Sequence, residues 1–121
     1  MTESHKGWIG VDLDGTLAHY DCWVAPDVIG DPVPLMLERV KSWRRRGIDV
    51  RIFTARVAFD ETVNGFEISE IARTAIQRWC HKHLGEELRI TCVKDLSMVE
   101  LWDDRCVQIV ANTGKRADGH D

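Results

Sequence analysis

The chain has 121 residues, 44% hydrophobic and 30% charged, which suits one globular domain and excludes disordered and fibrous classes. Its net charge of −4, from 16 basic and 20 acidic side chains, argues against a general nucleic-acid coat. No apolar run reaches the ~18 residues of a membrane span, and the opening MTESHKG has no apolar core, so a soluble, cytoplasmic protein without membrane partners is expected.

Taken in chain order, Trp8–Asp12 is a short apolar run stopped by a glycine-containing turn, the pattern of a buried strand opening into a loop. Residues 18–34 hold Pro26, Gly30, Pro32 and Pro34 without regular period and read as a loop with room for a small hairpin. Leu35–Arg46 is a helix: Leu37, Val40 and Trp43 recur on one face, cations crowd the last turn, and Gly47 follows. Ile48–Phe53 alternates apolar and polar residues as a second strand, and 54–65 is a second loop.

Phe66–Leu84 is the longest periodic stretch. Ile68, Ile71, Ala75 and Trp79 make one stripe, Ala72, Ile76, Cys80 and Leu84 another beside it, and Gly85 ends the helix. Arg89–Val93 reads as a third strand, Glu100–Trp102 (or from Met98) as a fourth and Cys106–Ala111 as a fifth. The polar stretch from Thr113 is expected to fray, giving a single domain over 1–112 and a flexible tail over 113–121. Cys22, Cys80, Cys92 and Cys106 show no CxxC spacing and read as reduced, mostly buried thiols; Cys80, His81 and His83 read as helix surface, not a zinc site.

Strands joined by helices imply a mostly parallel α/β sheet, whose ligands bind beyond the carboxyl ends of the strands. The unusual residues fall there: Asp12 and Asp14 after strand one, Thr54 and Arg56 after strand two, Lys94 after strand three, Asp103 and Asp104 after strand four. Four converging carboxylates repel unless a cation sits among them, at about 4 kcal/mol per close pair in a partly buried site. A hard divalent ion with oxygen ligands, magnesium, answers that repulsion. A hydroxyl, an ammonium and a guanidinium around such an ion are the groups a phosphate attracts.

Asp12-Leu13-Asp14-Gly15-Thr16-Leu17 resembles the first signature of the haloacid dehalogenase superfamily, mostly magnesium-dependent phosphatases. Thr54 is similar to its second motif, Lys94 to its third and Asp103-Asp104 to its acidic fourth, in the family's order along some 100 of the 121 residues. The resemblance implies a Rossmannoid three-layer fold with about five mostly parallel strands. It implies a phosphomonoester hydrolase in which Asp12 attacks phosphorus to form an aspartyl-phosphate and Asp14 is general acid, then base. Thr54 would hydrogen-bond the phosphoryl oxygens, and Lys94 would balance the charge of Asp12 and the phosphate. Magnesium would be held by Asp12, the Asp14 carbonyl and Asp103, with Asp104 direct or through water; which of the last two ligates stays open.

Gly15 permits the tight turn after Asp12, and with Ala55, Arg56 and Trp23 it makes the candidate substrate contacts. Thr54 also reads as a helix cap, Lys94 as a solvated loop lysine, Arg56 as a surface ion pair. Four of the five tryptophans fall on apolar positions (Trp8, Trp43, Trp79, Trp102); Trp23, near His19 and Tyr20, either stacks on a substrate base or packs under its loop. Residues 1–40 carry two basic and seven acidic groups against six basic and one acidic in 41–56, and the Lys41–Arg46 run reads as a solvated helix end or a polyanion contact. Ala18–Pro34 is too short for the family's cap domain, so the chain resembles capless phage and prophage hydrolases. Capless members take macromolecular substrates or borrow a neighbouring subunit as a lid, so nucleotides, nucleic-acid ends and a homo-oligomeric lid are candidate substrates and partner. The alternative is a non-catalytic phospho-ligand or metal-binding protein on the same scaffold.

Overall fold

The computed structural model describes residues 7–59 and 65–120. Trp8–Asp12 forms β1, and Pro34–Arg45 forms α1, with proline in the first turn, where a missing N–H costs nothing. Arg44 and Arg45 close that helix, and Gly47 at φ +77° turns the chain into β2, Asp49–Phe53. Gly65–Leu84 forms α2, followed by β3, Arg89–Thr91, and β4, Met98–Trp102. The sheet is four-stranded in the order β3-β2-β1-β4, and every pairing is parallel. This is a Rossmann-like α/β architecture.

The crossovers β1-α1-β2 and β2-α2-β3 step in the same direction, and right-handed connections then put both helices on one face. The core agrees. Ile9, Val11, Val50 and Ile52 from alternate strand positions share one buried cluster with Met36, Val40 and Trp43 of α1 and Ala72, Ile76, Trp79 and Cys80 of α2. Among the described residues the opposite face carries no helix. Residues 92–97 cross it as a loop, and Asp95 accepts a hydrogen bond from Trp8 Nε1 at 2.9 Å while the Arg51 guanidinium lies 4.5 Å over the Trp8 ring. The expected three layers are thus two layers and a strap, because six residues returning from one sheet edge to the other leave no length for a helix.

The expected fifth strand does not form. After β4 the Arg105 N–H donates to Asp103 Oδ1 at 2.8 Å and turns the chain away from the sheet. Residues 106–111 lie exposed and pair only with the segment expected to fray: Val110 N–H bonds Lys115 O and Ala117 N–H bonds Gln108 O, both at 2.8 Å. Strand three also stops early, at Thr91 and not Val93, because Thr91 Oγ1 takes the Val93 N–H and its carbonyl takes the Thr54 N–H. The loop between β1 and α1 closes as the hairpin reading anticipated, with an Ala18–Pro32 bridge. Of the tryptophans expected in the core, Trp8, Trp43 and Trp79 are buried and Trp102 packs edge-on against Trp43 at 5.1 Å. Of the four thiols only Cys80 is buried; the others sit on loops, which contradicts the expectation of mostly buried cysteines.

On α2 the two stripes differ. Ala72, Ile76 and Cys80 are buried with Trp79, whereas Ile68 and Ile71 point outward at 42% and 48% exposure. Removing Ile76, wholly buried, to alanine should cost roughly 2–5 kcal/mol of stability, read from the urea midpoint. Ile71→Ala should change that midpoint by less than about 0.5 kcal/mol.

Candidate active site

Register builds the site. Val11 of β1 pairs with Trp102 of β4, so Asp12 and Asp103, each the next residue, leave neighbouring parallel strands at the same level. One carboxylate oxygen from each of Asp12, Asp103 and Asp104 lies within 4.8 Å of the other two. Asp12 is half-buried, and its pKa is pushed up to about 7, first by burial, then by a hydrogen bond with Asp104 and by the charges of Asp103 and Asp104. Burial is the larger cause, and the two neighbouring carboxylates add to it. The Cys106 thiol, also raised by desolvation and then by Asp103, Asp12 and Asp104, reports the same field. An all-oxygen donor set of converging carboxylates fits a hard divalent cation, and magnesium among them.

Thr16 joins the two halves. Its hydroxyl lies 3.3 Å from both Asp12 Oδ2 and Asp104 Oδ1 and accepts the Asp104 N–H at 3.0 Å. The sequence reading assigned Thr16 no role, although it stands inside the quoted hexapeptide; a hydroxyl two residues past an acidic turn was the available signal. Gly15 is required for a reason beyond its turn. Its φ is +91°, and a Cβ there would meet Asp104 Oδ2 at 2.5 Å. It shapes the site as backbone, and as the residue against which Asp104 closes.

Asp14 does not join the cluster. Its carboxylate takes a two-pronged ion pair from Arg56, Nε to Oδ2 at 2.7 Å and Nη2 to Oδ1 at 2.9 Å. Arg56 Nη1 donates to the carbonyls of Ala25 and Pro26, each at 3.0 Å, and Trp23 lies 4.9 Å over the guanidinium. Arg56 is 8% exposed, and each of its three nitrogens already donates to the protein. Of the two readings of Arg56, substrate contact and surface ion pair, the structure shows an ion pair, buried and not at the surface, that clamps the 23–26 loop onto Asp14.

Thr54 is buried beyond β2, next to Asp12 across the Asp12–Phe53 pairing, and its Oγ1 caps the turn Ala55–Val57 by accepting the Arg56 N–H at 3.2 Å. Ala55 is exposed at the start of that turn. Lys94 is exposed on the strap beyond β3, two strands from β1, and among the described residues it makes no ion pair with Asp12, Asp103 or Asp104. Its expected charge balance is therefore not formed as an ion pair in this structure. The Lys41–Arg46 run ends α1, which runs against the strands, so it lies at their amino ends, far from the aspartates; there Arg44 pairs with Glu86 at 2.9 Å.

No family model matches the chain, and no curated protein matches it. Among solved structures it is similar to a conserved protein from Bacteroides thetaiotaomicron, with a TM-score of 0.56 and 22% identity over 84% of this chain and 78% of that one. That likeness shows the fold alone.

Two outcomes follow from the carboxylate geometry. If the cluster holds magnesium, millimolar magnesium should raise the wild-type Tm in thermal melts, and Gly15→Ala, by displacing Asp104, should abolish most of that rise. With metal withheld, the folded state holds the Asp12 proton more tightly than the unfolded chain, whose carboxyl has the ordinary value of 3.8. That contribution is fully present below 3.8 and lost as pH rises through about 7, so the metal-free Tm should carry a downward component over this window that saturating magnesium removes.

Proposed function

We propose that the chain is a magnesium-dependent phosphomonoester hydrolase of the haloacid dehalogenase type, working through an aspartyl-phosphate on Asp12. The observation that carries this reading is the meeting of Asp12 with Asp103 and Asp104 at the carboxyl ends of adjacent parallel strands, one carboxylate oxygen of each within 4.8 Å of the others. Asp12, Asp103 and Asp104 would hold the ion, with the Asp14 backbone carbonyl; bound there, it would neutralise these carboxylates and a phosphate's charge.

In this reading Asp12 Oδ attacks phosphorus, the P–O bond to the leaving group breaks, and the leaving oxygen takes a proton from Asp14. Asp14 then accepts a proton from the water that cleaves the acyl phosphate. Arg56 holds Asp14 from one side, and each Asp14 oxygen keeps a lone pair directed elsewhere. Thr54 accepts the Arg56 N–H and retains its own hydroxyl hydrogen for a phosphoryl oxygen. Trp23 stands at the loop edge, where substrate beyond the phosphate would pass.

A second reading, a phospho-ligand or metal-binding protein without turnover, is favoured by one observation: Lys94 stands outside the cluster. An aryl phosphate assay with magnesium and then with a chelator separates the two. Turnover that the chelator stops is expected, and Asp12→Asn should reduce it at least a thousandfold, whereas Lys94→Ala should reduce it by less than about tenfold because Lys94 makes no ion pair with Asp12 among the described residues. Magnesium binding seen by calorimetry with no turnover under any divalent ion would select the binding protein.

A further inference from the structure

Trp23 is the one tryptophan on a loop, and it is 52% exposed where Trp8, Trp43 and Trp79 are at most 9%. Its surroundings do not read as an accident of a loose loop. One face rests on a guanidinium whose Nε and Nη2 hold Asp14 and whose Nη1 holds the loop's own carbonyls at Ala25 and Pro26. The ring thus leans on a guanidinium that is itself held by Asp14 and the loop, one guanidinium away from Asp14. An aromatic plane supported on one face loses less conformational freedom on stacking than a free one.

We propose that the outer face of Trp23 is a stacking platform for a nucleobase, so that the site takes nucleoside monophosphates in preference to phosphates lacking a base; this rests on the hydrolase reading above. Base stacking on an aromatic side chain gives about tenfold or more in affinity without needing hydrogen bonds to base edges. In this arrangement the sugar would bridge a phosphate at Asp12 and a base on Trp23. A free nucleotide is favoured over a nucleic-acid strand by the charges around the platform. The loop carries Asp21, Asp27 and Asp31, and the Lys41–Arg46 run that would follow a polyanionic backbone lies at the opposite end of the sheet.

The experiment compares kcat/KM for AMP and for ribose 5-phosphate in the wild type, Trp23→Ala and Trp23→Phe, with thermal melts confirming that each variant folds. The wild type should prefer AMP by about tenfold or more; Trp23→Ala should bring that ratio toward one, and Trp23→Phe, which keeps a ring, should retain most of it. A wild-type ratio near one, or a ratio that Trp23→Ala leaves intact, overturns the platform while the hydrolase stands. Calorimetry of AMP and ribose 5-phosphate with magnesium separates the two readings if neither is hydrolysed. AMP binding about tenfold tighter than ribose 5-phosphate and lost in Trp23→Ala upholds the platform on a protein that binds without turnover, and equal or absent binding of both overturns it.

Discussion

Like-charge repulsion between Asp12 and the Asp103-Asp104 pair is the constraint around which the upper end of this fold is arranged. It arises because β1 and β4 are neighbours and parallel, in a register that ends both strands at one level. Hairpin-joined strands would send the two acidic ends in opposite directions; a parallel pairing stacks them. The backbone forces the three carboxylates together, and the chain relieves the strain only in part. Asp12 keeps a proton toward neutrality, shared with Asp104, and Thr16 lays a hydroxyl between them. A divalent ion would do the same work more completely, since it brings charge and not merely a bridging hydrogen.

A second hub lies a few residues along. Arg56 ends its reach among four acceptors and under an indole ring, which ties β2's trailing turn, the Asp-containing loop after β1 and the proline loop to one guanidinium. These bonds satisfy four of the five guanidinium N–H groups, and an unmet N–H in a dry site costs on the order of 1–3 kcal/mol. The two hubs divide the labour of the DLDG segment: Asp12 turns toward the acidic cluster, Asp14 toward the cation. Gly15 makes the division possible by turning the chain at a positive φ where a side chain would strike Asp104.

The strap over the helix-free face shows how little cover a parallel sheet can have. Such sheets are ordinarily buried on both faces. Here Trp8 is 1% exposed although no helix of the described residues lies over it, because Arg51 covers its ring and Asp95 takes its N–H. One large aromatic, a long cationic side chain and a loop carboxylate substitute for a packing layer. The same economy leaves Lys94 on the strap, facing water instead of the aspartates.

The sequence by itself determined the element order as far as β4, both helices with their stops, and the acidic residues at strand ends. These depend on local periodicity, turn chemistry and the rule that parallel strands deliver their loops to one edge. Tertiary structure decided the rest. Which stripe of α2 is core, Ile76 with Cys80 and not Ile68 with Ile71, depended on how the helix was rotated against the sheet, and both stripes have helical spacing. That 106–111 pairs with 115–117 and not with β4 was decided by the Asp103 turn, since an exposed edge and a local hairpin compete for the same backbone bonds. Arg56 was legible as a cation near a phosphate-sized site, but not as the partner of Asp14: the two are 42 residues apart, and an ion pair across that separation exists only once β1 and β2 lie side by side.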